Sequence, residues 1–243
     1  MSTQDPEAQR IQRVYRGYAA GGFGRSKWSP NNPGNQAMQS ERQRVLANML
    51  DRIGFLPLSD KRVLEVGCGS GGILRELLLL GAKPSRLSGI DLNTDRVETA
   101  RIVLPEADLR VADARSLPFE AERFDLVMVF TVFSSILDAE AARQVATEIR
   151  RVLKSGGAVI WYDFQYNNPR NPNVRGIKQL QVDKWFPGFR SYWKTLTVLP
   201  PLARRLGSVT AFVYPILAAI PLVRTHLMGV MLKPSTAGAS QNE

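Results

Sequence analysis

The sequence predicts an α/β fold built around a doubly wound, mostly parallel β-sheet. Three observations support this prediction. Short apolar runs alternate with helical patterns through the middle of the chain, which is typical of successive βαβ units. These runs are rich in apolar and β-branched residues, as strands covered on both faces should be. No internal repeat or evident linker divides the 243 residues, so we expect a single domain.

Each element follows from its local pattern. The predicted strands are residues 62–66, 87–91, 109–112, 124–130 and 158–164, followed by two late strands at 195–199 and 227–232. Predicted helices at 73–80, 94–103 and 139–153 follow the first, second and fourth strands, and a further helix at about 39–53 precedes the sheet. Asn93 or Thr94 and Asp138 are natural N-caps for two of these helices.

The charge is concentrated at the ends of the chain. Residues 1–30 have a net charge of +3, residues 31–164 of −1 and residues 165–243 of +8, which gives the +10 of the whole chain. The basic residues lack the interleaved aromatics or the motif of a nucleic-acid surface, so nucleic acid is not expected as a partner.

An uncharged apolar stretch, residues 207–223, lies within the basic C-terminal part, between Arg204, Arg205 and Arg224. Its plainer interpretation is a buried helix pair. The alternative is a basic-rimmed lid that rests on a lipid-like substrate or, through residues 204–224, on the inner face of a membrane.

Cysteine and histidine are nearly absent. Cys68 and His226 are the only residues of their types, which excludes an internal disulfide, a cysteine-rich zinc site and a histidine cluster. Carboxylate-rich metal positions are not evident either, so we expect no metal. A single cysteine and an N-terminus without an apolar signal region predict a cytoplasmic protein.

The motif LEVGCGSGG, residues 64–72, stands directly between the first strand and its helix. Gly67, Gly69 and Gly72 also satisfy the dinucleotide pattern G-x-G-x-x-G, so the glycines alone do not identify the ligand. They allow a tight turn and a close approach of the backbone to a ligand at the carboxyl edge of the sheet.

Three acidic residues around the motif identify the ligand more specifically than the glycines do. Glu65, two residues before the first glycine, would serve a ligand with an ammonium group better than a pyrophosphate. Asp91 ends the second strand, at the spacing from which a carboxylate holds ribose hydroxyls. Asp113 follows the third strand, where it could accept a hydrogen bond from an adenine amino group.

In this order and spacing, LEVGCGSGG, GIDLN, VADARSLPF, FDLVMVF and RVLKSGG resemble the motifs of the class I S-adenosylmethionine-dependent methyltransferases, over about residues 61–164. The pattern is similar to the small-molecule branch of that family, which includes methyltransferase type 11 and quinone C-methyltransferases. The resemblance implies S-adenosylmethionine as cofactor and S-adenosylhomocysteine as product. The cofactor-binding residues that it implies are Glu65, Gly67, Gly69, Gly71, Asp91, Leu92, Asp113, Ala114, Phe130 and Thr131.

The resemblance also implies a Rossmann-like sheet of seven strands with the last antiparallel. Residues 1–55 would form an N-terminal helical or lid segment, residues 61–164 the cofactor-binding core, and residues 165–243 a substrate-side region whose apolar insertion forms a cap.

The sequence says less about the molecule that accepts the methyl group. The nucleic-acid N-methyltransferase signature is absent after the fourth strand, where the chain has TVFSSILD. O-methylation of a sugar, a glycolipid or another natural-product hydroxyl is the first interpretation. C-methylation of a lipid-tailed ring such as a quinone is the alternative, and a non-catalytic cofactor-binding module is a further one.

Candidate acceptor-side residues lie near both ends of the chain. His226 could accept a hydroxyl proton while neutral, and Asp163 ends the fifth strand at the edge where cofactors bind, so both are candidate bases. Candidate substrate-binding residues, chosen for hydrogen bonding or for stacking on a ring, are Tyr18, Trp28, Asn167 and Asn168. Building of turns is the alternative role for the asparagines.

Overall fold

The structure of the protein is a computed structural model that describes residues 5–20 and 29–235. A seven-stranded sheet forms its centre, in the order β3-β2-β1-β4-β5-β7-β6. The strands are β1 (Val63–Val66), β2 (Leu87–Asp91), β3 (Asp108–Val111), β4 (Phe124–Phe130), β5 (Leu153–Phe164), β6 (Arg190–Val198) and β7 (Arg224–Leu232). The first five strands pair in parallel, and β7 runs antiparallel to both β5 and β6. The predicted doubly wound sheet with an antiparallel last strand is therefore confirmed.

The described helices are α1 (Pro6–Ala20), α2 (Pro33–Arg52), α3 (Gly72–Leu77), α4 (Thr94–Val103), α5 (Ala139–Val152), α6 (Gln179–Trp185), α7 (Pro200–Arg205) and α8 (Thr210–Ala218). Two of the expected caps are confirmed, because the side chain of Asn93 accepts a hydrogen bond from the Arg96 amide and that of Asp138 from the Ala141 amide. Helix α2 begins at Pro33, earlier than expected, with Asn32 as its cap.

Strand boundaries differ most at the C-terminal edge. Strand β6 begins at Arg190, five residues before the predicted start, because the aromatic and basic segment before residue 195 pairs with β7. Strand β5 begins at Leu153 instead of residue 158, since its first residues continue directly from α5. These boundaries depend on pairing with segments that are distant in sequence, so the local residue pattern does not predict them.

The core lies on both faces of the sheet. Along β4, Leu126 and Met128 pack in one hydrophobic cluster, together with Leu46 of α2, while Val127 and Val129 pack in the other, together with Ile149 of α5. This alternation is the pattern of a strand covered on both sides. It leaves the carboxyl edge of the parallel strands open for ligands.

The C-terminal insertion packs against α2. Met38, Val198, Ala203 and Tyr214 form a small separate core there. At Gly34 of α2 the backbones are so close that a Cβ would lie 2.1 Å from the carbonyl oxygen of Ala203 in α7. The contact fixes the insertion as a cap beside the sheet edge.

The interpretation of residues 207–223 as a buried helix pair is wrong. Phe212 and Ile216 of α8 are 79% and 66% exposed, and Leu222 in the turn after it is 89% exposed. The reason is that α8 contacts the rest of the protein through one side only, by way of α2 and β6. None of the helices in the described part of the chain is both long enough and apolar enough to cross a membrane.

Candidate functional site

A cavity of about 1770 Å³ opens at the carboxyl edge of the sheet. Its walls come from the glycine-rich loop, the ends of β2, β3, β4 and β5, helices α1 and α2, and the C-terminal cap. The sequence-predicted residues that line it are Glu65, Gly67, Asp91, Leu92, Asp113, Ala114, Phe130, Thr131, Tyr18, Asn167, Asn168 and His226. Gly69, Gly71 and Asp163 are not among the lining residues, and Trp28 lies outside the described residues.

The glycine-rich loop has a backbone that other residues would adopt only with strain. Gly67, Gly69 and Gly71 have φ angles of 75°, 52° and 78°, in the left-handed region. A Cβ at Gly67 would also lie 2.6 Å from Cγ2 of Val132. Gly72 has no such φ and has open space around it, so the conformation requires Gly71 rather than the third glycine of the dinucleotide pattern.

Asp91 fixes this loop to the end of β2. Its Oδ2 accepts a hydrogen bond from the Gly69 amide at 2.9 Å, and its Oδ1 accepts one from the Asn93 amide at 2.8 Å. Each carboxylate oxygen can accept a second hydrogen bond, so both oxygens can still hold ribose hydroxyls while they shape the loop.

Glu65 is a buried carboxylate at the wall of the cavity. It is 2% exposed, and its Oε2 has no hydrogen-bond partner in the described part of the chain. Burial raises the pKa of Glu65 well above its usual range, and the charge of Arg42 offsets part of that rise. An unpartnered buried carboxylate fits an ammonium group of a ligand, so these residues suit the amino-acid end of S-adenosylmethionine.

Arg42 and Glu76 were not predicted as site residues. Arg42 on α2 and Glu76 on α3 both line the cavity and pair with each other at 2.7 Å. Among the described residues, Nε of Arg42 and Oε2 of Glu76 have no hydrogen-bond partner, although both atoms are buried. They therefore add hydrogen-bonding capacity near Glu65. The residues are 34 positions apart in the sequence, and no local motif indicates their pairing.

Asp113 takes part in an ion-pair network at the mouth of the cavity. Its Oδ2 pairs with Nη2 of Arg115 at 2.5 Å, and Nη1 of Arg115 also pairs with Asp5 at 2.6 Å, just before α1. The ion pair between Arg115 and Asp5 fixes the start of α1 over the site. The predicted contact of Asp113 with an adenine amino group remains a prediction.

Helix α1 lies across the cavity. Nε2 of Gln12 donates a hydrogen bond to the Leu92 carbonyl at 3.2 Å, and Oε1 of Glu7 accepts one from the Leu137 amide at 2.6 Å. The hydroxyl of Tyr15 lies 2.9 Å from that of Ser135. These contacts join α1 to the loops after β2 and β4. They close one side of the cavity.

Strained backbone lies at two positions of the cavity wall. Thr131 and Thr197 line the cavity and have φ angles of 54° and 64°. The Thr197 amide donates to Oε2 of Glu41 at 2.9 Å, and the Thr131 amide donates to the Tyr162 carbonyl at 2.7 Å. Strain of this kind in residues with a branched Cβ is typical of functional sites.

The two candidate bases have different surroundings. His226 is 3% exposed, stacks on Tyr162 with ring centroids 4.8 Å apart, and places Nδ1 2.9 Å from the hydroxyl of Thr225. Burial, with the nearby charge of Arg42, lowers the pKa of His226 to about 3, so its ring is neutral and weakly basic near pH 7.

Asp163 points away from the cavity. Its Oδ2 accepts from the Ser134 amide and its Oδ1 from the Phe164 amide, at 2.9 and 2.8 Å. Burial raises the pKa of Asp163 to about 6. The structure thus gives this carboxylate a positioning task at the turn after β4.

Asn167 and Asn168 both line the cavity and both build the loop that follows β5. Oδ1 of Asn167 accepts from the Gly176 amide at 2.8 Å, and Oδ1 of Asn168 accepts from the Arg170 amide at 3.0 Å. The hydroxyl of Tyr18 donates to Oδ1 of Asn171 in the same loop. The side-chain NH₂ groups of Asn167 and Asn168 are the parts available to bind the molecule that accepts the methyl group.

Comparison with known proteins agrees with this geometry. Residues 63–157 match the model of a family described as a methyltransferase domain. The chain is 37% identical over 134 residues to phthiotriol/phenolphthiotriol dimycocerosates methyltransferase 1 of Mycobacterium ulcerans, which covers 54% of this chain and 48% of that protein. It is 32% identical over 133 residues to the demethylmenaquinone methyltransferase of Thermotoga maritima, which covers 55% of this chain and 56% of that protein. The chain thus spans about half the length of these curated relatives.

The fold is also that of a solved structure. A chain from the complex between the Haloferax volcanii Trm112 methyltransferase activator and its putative methyltransferase superimposes with a TM-score of 0.64 and 18% identity. The match covers 92% of this chain and 97% of that one. It therefore includes the sheet and the elements that follow it.

Binding of the cofactor should release a proton from Glu65. Burial raises the pKa of Glu65 in the free protein, and an ammonium partner would lower it, so binding releases protons at pH values between the two. We expect the calorimetric enthalpy of S-adenosylhomocysteine binding to depend on the ionisation enthalpy of the buffer. Glu65→Gln should abolish this dependence and weaken binding roughly tenfold to hundredfold. Glu106→Gln, at an exposed position, is the matched control. A buffer-independent enthalpy in the wild type would contradict the expectation.

Burial of His226 should make stability depend on pH. The pKa is about 3 in the folded protein against an ordinary 6.5, so between these values the unfolded chain binds a proton that the folded one does not. The contribution of His226 is therefore fully present above about pH 6.5 and is lost as the pH falls towards 3. Asp163 acts in the opposite direction between its ordinary 3.8 and about 6.

The contribution of His226 to stability is isolated by comparing the wild type with a variant that lacks the histidine. We expect the free energy of unfolding of His226→Gln, measured with urea across this range, to fall less steeply with decreasing pH than that of the wild type. Parallel curves for the two proteins would show that His226 is not buried in its neutral form.

Proposed function

We propose that this chain is a class I S-adenosylmethionine-dependent methyltransferase that transfers the methyl group to a hydroxyl of a sugar, a glycolipid or another small natural product. The match of residues 63–157 to a methyltransferase domain and the similarity to curated methyltransferases support the proposal. The observation that carries the cofactor part of the proposal is Glu65. A buried carboxylate with an unpartnered oxygen, at the wall of a cavity that Asp91 also lines, is what the cofactor's ammonium and ribose groups require.

The chain would act mainly through binding and alignment. When bound, S-adenosylmethionine supplies an electrophilic methyl group on a sulfonium. Glu65 would hold its ammonium group and Asp91 its ribose, while α1 excludes water from one side of the cavity. Transfer then needs an acceptor oxygen in line with the bond that breaks.

The acceptor part of the cavity lies beyond the cofactor residues. Tyr162, Thr197 and His226 line the cavity, as do the exposed residues Leu199 and Leu222. Of the two candidate bases, His226 is the one on the cavity wall, so we propose that it accepts the hydroxyl proton. Its lowered pKa limits it to partial proton transfer as the new bond forms.

Two features favour an acceptor that combines hydroxyls with a lipid part. The cavity wall contains both polar side chains, at Asn167 and Asn168, and apolar ones, at Leu199 and Leu222. The Mycobacterium ulcerans relative is named for a phthiotriol acceptor, and a triol carries hydroxyl groups. A glycolipid or related lipid is therefore the preferred member of the proposed class.

The second candidate function is C-methylation of a lipid-tailed ring such as a quinone. Aromatic rings at Phe130, Tyr162 and Phe164 line the cavity and offer a surface on which a flat acceptor would stack. The similarity to a demethylmenaquinone methyltransferase agrees with this function. A module that binds the cofactor without turnover is the third candidate.

A labelled-methyl assay separates these functions. The protein would be incubated with ¹³C-methyl S-adenosylmethionine and, in turn, a hydroxylated glycolipid, a free sugar and a prenylated quinone precursor, with the product analysed by carbon NMR. We expect an O-methyl resonance with the glycolipid. A C-methyl resonance confined to the quinone sample would contradict the proposal, and cofactor binding without transfer to any acceptor would favour the non-catalytic module.

His226→Gln tests the assigned base in the same assay. We expect a fall in kcat of about a hundredfold, with the affinity for S-adenosylhomocysteine retained. The fall should be smaller for acceptors whose hydroxyl is more acidic, which a merely structural role would not produce. An unchanged kcat would remove His226 from the mechanism.

A further inference from the structure

Helix α8 has its polar and apolar sides reversed with respect to solvent. Its polar side chains, Thr210 and Tyr214, are the buried ones, at 4% and 5% exposure. Two of its large apolar side chains, Phe212 and Ile216, are exposed, while Leu217 packs on the small core beside α2. A helix on the surface of a globular protein normally shows the opposite arrangement.

Polar contacts hold α8 in this orientation. The hydroxyl of Tyr214 donates to Oε2 of Glu41 at 2.7 Å, inside the contact with α2. At the other end of the helix, the guanidinium of Arg224 donates to the carbonyl oxygens of Ala218 and Thr195. The exposed apolar side is therefore a fixed feature of the fold.

Exposed apolar residues lie on one side of α8 and in the turns before and after it, and we call them the outer face of α8. Phe212 and Ile216 are four residues apart on the helix, so they share a side. The residues of this face are Val209, Phe212, Ile216, Ile220 and Leu222, each between 42% and 89% exposed. So many exposed apolar side chains in one short segment mark an interaction site.

The charges around this face are basic. Residues 206–223 contain no charged side chain, and residues 184–242 contain no Asp or Glu. The charged residues that flank this stretch in sequence are Arg205, exposed at the end of α7, and Arg224, which is half-buried. An apolar segment flanked by basic residues is complementary to an anionic lipid interface.

The outer face is continuous with the cavity. Leu222, the most exposed residue of this face, also lines the cavity, together with Leu199, Pro200 and Pro201. Docking through this face would therefore bring one wall of the cavity close to the lipid surface.

We infer that the outer face of α8 docks the protein on the surface of an anionic lipid bilayer. Phe212 and Ile216 would enter the boundary between headgroups and acyl chains, and Arg205 would contact the anionic headgroups. The nine-residue helix lies in the interface and does not span it. This inference goes beyond methyl transfer and stands without it, since docking needs neither cofactor nor acceptor.

Vesicle flotation of the whole chain tests the inference. We expect the wild type to float with vesicles of phosphatidylcholine mixed with phosphatidylglycerol, and much less with phosphatidylcholine alone. The variant Phe212→Ser with Ile216→Ser should bind the mixed vesicles at least about tenfold more weakly, since two large apolar side chains are removed. Arg205→Glu should bind more weakly as well and should reduce the sensitivity to sodium chloride.

A matched control removes equivalent apolar groups elsewhere. Leu79 and Ile102 are each 82% exposed and lie outside α8, so Leu79→Ser with Ile102→Ser should float like the wild type. Affinity for S-adenosylhomocysteine, unchanged in both double variants, would show that each is folded. Equal flotation of the two double variants, or no flotation of the wild type, would overturn the inference. Self-association that the α8 variant abolishes, without vesicle binding, would assign the face to a second copy instead.

Discussion

The hydrogen bond from the Gly69 amide to the Asp91 carboxylate is the interaction on which the site depends. It joins the glycine-rich loop after β1 to the end of β2, across the sheet edge where the cavity opens. Left-handed glycines make the turn sterically accessible, and the carboxylate selects one position for it. Glu65 lies two residues before the first of these glycines, in β1, where the neighbouring strands β2 and β4 pair with it on both sides.

The parts of the fold and site that local sequence determines were predictable. The mostly parallel sheet, the caps at Asn93 and Asp138, and the placement of Glu65, Gly67 and Asp91 all follow from motifs in which the interacting residues are neighbours in sequence or in consecutive strands. Asp163 shows where such reasoning ends. Topology puts it at the correct edge, but adjacent residues of a strand point to opposite faces, and it is Tyr162 that faces the cavity.

The residues that could not be predicted come from helix α2 and the C-terminal cap. Arg42, Glu41 and Tyr214 acquire their partners through packing between segments far apart in the chain. Glu41 is a buried carboxylate in this region, and Oε2 of its side chain accepts hydrogen bonds from the Thr197 amide and the Tyr214 hydroxyl, which offset part of the cost of its burial. The same network orients α8, so the cap, the cavity wall and the exposed apolar face are parts of one structural unit.

We propose that acidic residues at the sheet edge hold S-adenosylmethionine in this site. The most direct test is calorimetric titration of the protein with S-adenosylmethionine and S-adenosylhomocysteine, beside Asp91→Ala and a control, Asp95→Ala, at an exposed position four residues away. We expect the wild type and the control to bind both compounds, and Asp91→Ala to lose binding. Equal binding by the two variants, or no binding by the wild type, would contradict it.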